Sequence, residues 1–427
     1  MMRFSSTLLS RRTFIIGGSV SPFLGKGNPA FIDKRHPDFG KKENPTLEQL
    51  ITQSINETLS SSSVDAELVD RVVVGNFAGE LFSSQGHLGS AAIGAHPKLL
   101  NKPSMRCEGA CASGALAMQV GVDAIRSGGA DLVLVIGAEV QTTVPPRQGG
   151  DFLARASHYS RQRKIDDFTF PCLFAKRMKA IVAANHFSME DTAMVAVKAY
   201  TNGNANPLAH MHSAKHSFQS ANFVSERNPL FLANPEYKDY LRISDCSQVT
   251  DGAASIILAS EEGMKRVSRS TLRCAEIKAL VCATGNLYVD PSDMTRLQTC
   301  TVAAHRALEE AKISALDLQV AEVHDCFTIA EILMYEALGI APYGKGRDLI
   351  NNGDTGLGGR IPVNTGGGLL SFGHPVGATG VKQVLELYRQ MHNMCGEYQM
   401  KRSPTIGAAL NMGGDDKTAV CTVLHAH

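Results

Sequence analysis

The chain has 427 residues, 42 basic and 41 acidic side chains, a formal charge of +1, 39 glycines and no tryptophan. That length exceeds one ordinary compact domain and points to two or three packed lobes, while the charge balance excludes recruitment of nucleic acid or an anionic membrane by a global field. Ten cysteines without regular spacing and without any Cys-x-x-Cys exclude a disulfide framework and a zinc site of that type, and read as free thiols in a reducing compartment.

The segment 1–30 differs from the rest. It carries Arg3, Arg11, Arg12 and Lys26 and several serines, and the first acidic residue of the chain is Asp33. A basic, serine-containing, acid-free start has the composition of a mitochondrial transit peptide, so residues 1–30 are expected to be a targeting segment, with a mature start within 12–35 and a mitochondrial location. A secretory signal needs a continuous apolar core, and Gly17, Gly18, Ser19, Ser21 and Pro22 interrupt the candidate. No continuous apolar stretch of about 20 residues is present, so no membrane span is expected.

Residues 31–66 are polar, with an amphipathic helix predicted from Thr46 to Leu59. Arg71–Gly75 is β-branched without polar alternation and reads as a buried strand; Gly79–Gly94 reads as helix and loop. A helix with apolar residues at Leu116, Val120 and Ile125 ends at Gly128-Gly129, and Asp131–Gly137 is a second apolar strand running into Glu139. Strand, helix and strand with short connections imply a parallel sheet covered by helices. From Pro145 to Arg242 aromatics, basic residues and histidines are scattered without a strong strand. This reads as a mostly helical insertion whose basic side holds an anionic ligand or is simply solvated. His210-x-His212 lacks carboxylate partners at helical spacing, and no metal is expected there. Asp251–Ala259 completes the first sheet. The second half has a strand at Ala275–Thr284, a helix at Thr299–Lys312, a strand at Val320–Val323, and closing strands at Ile406–Leu410 and Thr418–Leu424. The repetition points to an internal duplication.

Reactive side chains gather where these elements end. Cys111, in Cys-Glu-Gly-Ala-Cys-Ala-Ser-Gly, stands where a loop enters a helix, so unpaired N–H groups and the helix dipole favour its thiolate; taken alone, a cysteine there reads better as a buried structural thiol. His324-Asp325-Cys326-Phe327 follows a strand, where ligand sites of α/β sheets lie. Asp325 alone reads as a residue orienting backbone at a helix start. His374 sits in a glycine-rich loop before a helix predicted at Thr379–His392, although a histidine before proline is also an ordinary turn residue. Asn411-Met-Gly-Gly414 follows a strand and offers bare backbone N–H groups. Together these residues form a set for acyl chemistry: a thiol nucleophile, a histidine base, oxyanion donors and a second acid/base.

Cys-Ala-Ser-Gly at 111–114, Asp-Gly-Ala-Ala at 251–254 and Gly-His-Pro at 373–375 resemble the thiolase superfamily over residues 45–427. His-Asp-Cys-Phe, in place of the family's more usual Asn-Glu-Ala-Phe, resembles the sterol-carrier-protein-2-type thiolases. Asn411 stands where ordinary thiolases carry the cysteine of a catalytic Cys-x-Gly. The resemblance implies an α/β fold of two duplicated βαβαβαββ halves packed as a five-layer αβαβα sandwich. The first half would comprise 31–144 plus 243–270, the loop domain 145–242 and the second half 271–427. It further implies thiolysis of 3-oxoacyl-CoA, as in fatty acid β-oxidation, and the reverse condensation. Cys111 would be the nucleophile, His374 its base, Cys326 the acid/base in place of the missing cysteine, His324 and His374 the enolate donors, and the N–H groups of Cys111 and Gly413 the acyl oxyanion donors. Asn411 would only shape the turn. Coenzyme A would be a co-substrate rather than a bound cofactor, with Ser247 as a substrate contact and a homodimer as the assembly. The rival expectations are a 3-oxoacyl synthase-type condensing enzyme, against which Cys326 counts, and a non-catalytic lipid-binding protein of the same fold.

Overall fold

The computed structural model describes residues 11–267 and 273–426. Its strands are β1 (Phe14–Val20), β2 (Arg71–Gly75), β3 (Ser104–Cys107), β4 (Leu132–Glu139), β5 (Gly252–Ala259), β6 (Ala275–Thr284), β7 (Val320–Val323), β8 (Ile406–Gly413) and β9 (Thr418–Ala426). They hydrogen-bond in the order β3-β2-β4-β5-β1-β6-β9-β8-β7. Strand β2 runs parallel to β3 and β4, and β7 parallel to β8; the other pairings are antiparallel. Strand β1 joins two halves, facing β5 along its length and β6 only at Phe14 and Ile15.

The helices that position the site are α1 (Leu47–Ser62), α2 (Ser113–Arg126), α3 (Thr169–Ala183), α4 (Met189–Asn204), α5 (Gln298–Ala311), α6 (Thr328–Ala337) and α7 (Thr379–Met391). Helix α1 starts where Thr46 and Gln49 form a reciprocal capping box. Alternation along the strands decides the layers. Val72, Val74, Leu132 and Leu134 face Leu50, Ile51 and Ile55 of α1. Val73, Val133 and Val135 face inwards to Met118 and Val122 of α2 and Val384 and Leu385 of α7. The second half repeats the scheme: Val320, Val420 and Leu424 close the same central core, while Val323, Cys421 and Val423 face α5 and α6. The result is an αβαβα sandwich with α2 and α7 as the shared middle layer. These two helices cross at glycines; a Cβ on Gly380 would overlap the backbone of Ala115.

The N-terminal expectation needs correction. Phe14–Val20 is β1 in the middle of the sheet, with Ile15 and Ile16 fully buried. Gly17 and Gly18, which break the apolar run in the sequence, are points of close approach, because a Cβ there would strike Ser62 of α1 and the Ser255 carbonyl of β5. Arg11 pairs with Asp131, and Arg12 with Glu261 and Glu276. Beyond β1, Phe23 packs on Phe372 at 4.9 Å between ring centroids, and Leu24 and Asp251 exchange backbone hydrogen bonds of 3.0 and 2.7 Å. Residues 14–28 therefore belong to the folded first half. A strand built with close-approach glycines has the composition of a leader, which is why composition misassigned it. Residues 1–10 of the expected targeting segment, and the 270/271 boundary between halves, lie outside the described residues.

Named elements between Pro146 and Asp245 are all helical. Phe174 and Met178 of α3 and Val195 and Ala199 of α4 share one core with Ile329 and Leu333 of α6, so the insertion leans on the second half although it leaves the chain in the first. Among the described residues no helix is long and apolar enough to cross a membrane.

Candidate active site

Strand ends from both halves converge on one place. Cys111 lies in a single tight turn, Ala110–Ala112, between β3 and α2. The turn is held by its neighbours: the Ala110 N–H donates to the Glu108 carboxylate at 2.6 Å, the Ser113 hydroxyl donates to the Ala110 carbonyl at 2.6 Å, and the Gly109 N–H donates to Ser113 Oγ at 3.1 Å. Ala110 sits at φ 54°, a left-handed conformation that aims the next residue out of the helix. The sulfur faces the backbone N–H groups of Gly414 and of Cys111 itself.

His374 is nearly buried, at 8 % exposure. Its Nδ1 lies 2.7 Å from Thr379 Oγ1, whose own proton goes to the Pro375 carbonyl at 3.0 Å. The hydroxyl must therefore accept from Nδ1–H, which leaves Nε2 with a lone pair, the form a general base requires. His324 is fully buried; its ring stands perpendicular to that of His374, 5.0 Å away between centroids. Its Nδ1 meets Asn411 Nδ2 at 3.0 Å, and its Nε2 has no protein partner. Cys326, two residues on, is buried next to Cys111, and its carbonyl accepts the Ser247 N–H at 3.0 Å. Ser247 thus reaches the catalytic end of the site through its backbone.

Burial governs the electrostatics. It pushes the Cys111 thiol up to about 12, with Glu139 adding to the rise and the Gly414 N–H opposing it. The thiolate expected from a helix start is not the resting form, because desolvation outweighs the backbone donors. Burial, with Cys111 and Asp325 nearby, likewise raises Cys326 well above an ordinary thiol. Desolvation lowers His374 to about 3 and, with His374 alongside, holds His324 well below its ordinary value, so both rings are neutral at physiological pH. The resting site is two thiols and two neutral imidazoles. The ligating atoms of Cys111, His324 and His374 lie within 4.8 Å of one another.

Gly413, the expected oxyanion donor, stands one residue before the N–H that faces the sulfur. Gly413 is the last residue of β8, paired with Thr418, and a Cβ there would strike the Gly109 carbonyl. It lets the strand end press on the nucleophile turn, while the N–H aimed at the sulfur belongs to Gly414, at φ 67°. Asn411–Gly413 are strand rather than bare turn.

Three positioning residues escaped the sequence reading or had another role there. Glu139 accepts from Phe77 N (2.8 Å), Ala78 N (3.0 Å), Gly377 N (3.0 Å) and Asn76 Nδ2 (3.0 Å), tying the His374 loop to the first half. Burial lifts it to about 7. Asp325 orients not α6 but the glycine loop before His374, accepting from Leu369 N (2.7 Å) and Leu370 N (3.3 Å). Arg177 of α3, fully buried, holds Asp415 at 2.5 Å and so fastens the Gly413–Gly414 turn to the insertion. An acidic residue ending a wholly apolar strand was the available signal for Glu139. Arg177 had none. His210 is a structural histidine between Thr250 Oγ1 (2.9 Å) and the Lys26 carbonyl (3.1 Å).

Comparison with known proteins bears on this constellation. Residues 34–262 match the family model for the thiolase N-terminal domain and residues 283–426 that for the thiolase C-terminal domain-like fold. The chain belongs to the thiolase family. It is an acyltransferase of that family. It is 32% identical over 391 residues to an acetyl-CoA acetyltransferase of Methanothermobacter thermautotrophicus, covering 91% of this chain and 97% of the relative. It is 28% identical to sterol carrier protein 2 of Gallus gallus, covering 92% of this chain and 68% of that protein. The fold also matches an Ltp2-ChsH2(DUF35) aldolase, with a TM-score of 0.75 at 18% identity over 97% of this thiolase and 98% of that chain.

Proposed function

We propose that this thiolase cleaves 3-oxoacyl-CoA with coenzyme A, giving acetyl-CoA and a shortened acyl-CoA, and that it runs the reverse condensation through the same Cys111 acyl-enzyme. The meeting of Cys111 and Cys326, two thiols beside two neutral histidines, carries this reading. Proton transfer from Cys111 to His374 Nε2 accompanies attack of the sulfur on the 3-oxo carbon, since burial disfavours a standing thiolate. The oxyanion of the adduct lies at the Cys111 and Gly414 N–H groups. The C2–C3 bond then breaks, its electrons forming the acetyl-CoA enolate, whose oxygen is held by His324 and by His374, now protonated at Nε2. Cys326 gives its proton to C2. Coenzyme A next gives its thiol proton to the Cys326 thiolate and attacks the acyl-enzyme; the shortened acyl-CoA leaves, and His374 returns the proton to Cys111. A raised thiol suits Cys326, which stays protonated until the enolate forms.

Incubation with acetoacetyl-CoA and coenzyme A, followed by loss of the diketone absorbance, tests the reading. Wild type should be active, and Cys111→Ala and Cys326→Ala inert. Full activity of Cys326→Ala would remove it from proton transfer and restore the synthase-type reading.

The assembly we propose is a homodimer through β3, an edge strand of the sheet with Met105 40% exposed; a monomeric mass in solution would contradict it. The proposed mitochondrial address rests on the residues ahead of β1. Fractionated cells should show the protein in mitochondria, with an N-terminus no later than Thr13.

A further inference from the structure

Asn411, near the end of β8, is buried at 2 % exposure. Its Nδ2 has two hydrogens and two acceptors in range, Gln383 Oε1 at 2.9 Å and His324 Nδ1 at 3.0 Å. Gln383 is fully buried on α7, so the amide is held from the middle layer of the fold. We propose that Asn411 is a positioning residue that fixes the tautomer of His324: by donating to Nδ1 it keeps the ring proton on Nε2, the nitrogen that faces the site without a protein partner.

The consequence concerns timing and rests on the thiolase reading above. His374 Nε2 becomes a donor only after it has taken the Cys111 proton. His324 Nε2–H is a donor from the outset. The enolate hole therefore has one prebuilt hydrogen and one delivered by the acylation step, and Asn411 supplies the first. A mere space-filling amide predicts none of this. The opposite orientation, with the Asn411 oxygen towards Nδ1, requires the Gln383 amide to turn as well and present its Nε2 to Asn411, and it would move the ring proton off Nε2.

Asn411→Asp discriminates, because a carboxylate can only accept from Nδ1–H. Thiolysis of acetoacetyl-CoA forms an enolate, whereas exchange of labelled coenzyme A into acetyl-CoA needs Cys111, His374 and Cys326 but no enolate donor. The expected result is a fall of about 100-fold in kcat for thiolysis, the scale of losing one oxyanion donor, with KM within about threefold and exchange within about fivefold. Equal loss of both reactions would reduce Asn411 to a structural role, and unchanged thiolysis would show that the amide presents its oxygen; either overturns the proposal. Should the variant fail to fold, nitrogen-15 spectra of the wild-type protein labelled at histidine, assigned with His324→Gln, decide the matter. A protonated Nε2 on His324 supports the proposal and a protonated Nδ1 overturns it. Wild type inert in both reactions would refute the thiolase function itself, a separate failure.

Discussion

Thr379→Val removes one hydroxyl and keeps the shape of the side chain. In the wild type that hydroxyl accepts from His374 Nδ1 at 2.7 Å and donates to the Pro375 carbonyl at 3.0 Å, in a position only 1 % exposed. Without it the ring N–H loses its acceptor in a buried place, at about 1–3 kcal/mol, and nothing holds the lone pair on Nε2. Each 1.4 kcal/mol is about tenfold, so kcat should fall by roughly 5- to 150-fold. Thr379 lies behind the imidazole, so KM should stay near wild type. Because His374 serves every turnover of Cys111, thiolysis and coenzyme A exchange should fall together, unlike the split expected for Asn411→Asp. The assay is the diketone absorbance, with alkylation of Cys111 by iodoacetamide as a second readout and Thr379→Ser as the rescue. A Thr379→Val enzyme within twofold of wild type in kcat would refute the assignment of the base tautomer.

Acid should destabilise the fold early. His374 is held neutral far below its ordinary 6.5, so the unfolded chain binds more protons as pH drops from about 6.5 towards 3, and stability falls by up to about 1.4 kcal/mol per pH unit from this group alone. Urea midpoints that stay flat between pH 6.5 and 4 would contradict it. Deleting residues 1–20 should abolish folding, because Phe14, Ile15, Ile16 and Val20 are buried and each contributes roughly 1.5–3 kcal/mol, together comparable to a whole domain's stability of about 5–15 kcal/mol. Arg177→Met strands Asp415 in the interior, at about 3–5 kcal/mol, and should lower both the melting temperature and kcat by loosening the Gly414 turn.

The strands of the sandwich were legible where β-branched residues run together, as at Arg71–Gly75, because burial on both faces leaves no polar alternation. The residues that the structure gathers were singled out by their place in the chain: Cys111, His324 and Cys326 after a strand and ahead of a helix, His374 in a glycine loop ahead of α7. What stayed hidden has physical causes. Strand β1 was obscured by the glycines that let α1 and β5 approach it. Thiol protonation was misjudged because a helix start is local, whereas desolvation depends on the whole surrounding structure. Arg177 meets Asp415 across 238 positions of the chain, a pairing no local pattern encodes. That the N–H facing the Cys111 sulfur is that of Gly414 depended on where β8 ends, and strand ends are the least defined feature of a sequence.

Division of labour between two thiols is the central claim, and the most direct measurement is mass spectrometry of the protein quenched during turnover of acetoacetyl-CoA with limiting coenzyme A. The account predicts an acetyl thioester on the peptide that carries Cys111 and none on the peptide that carries Cys326. An acetyl group on Cys326, or consumption of the diketone with neither peptide modified, would contradict it.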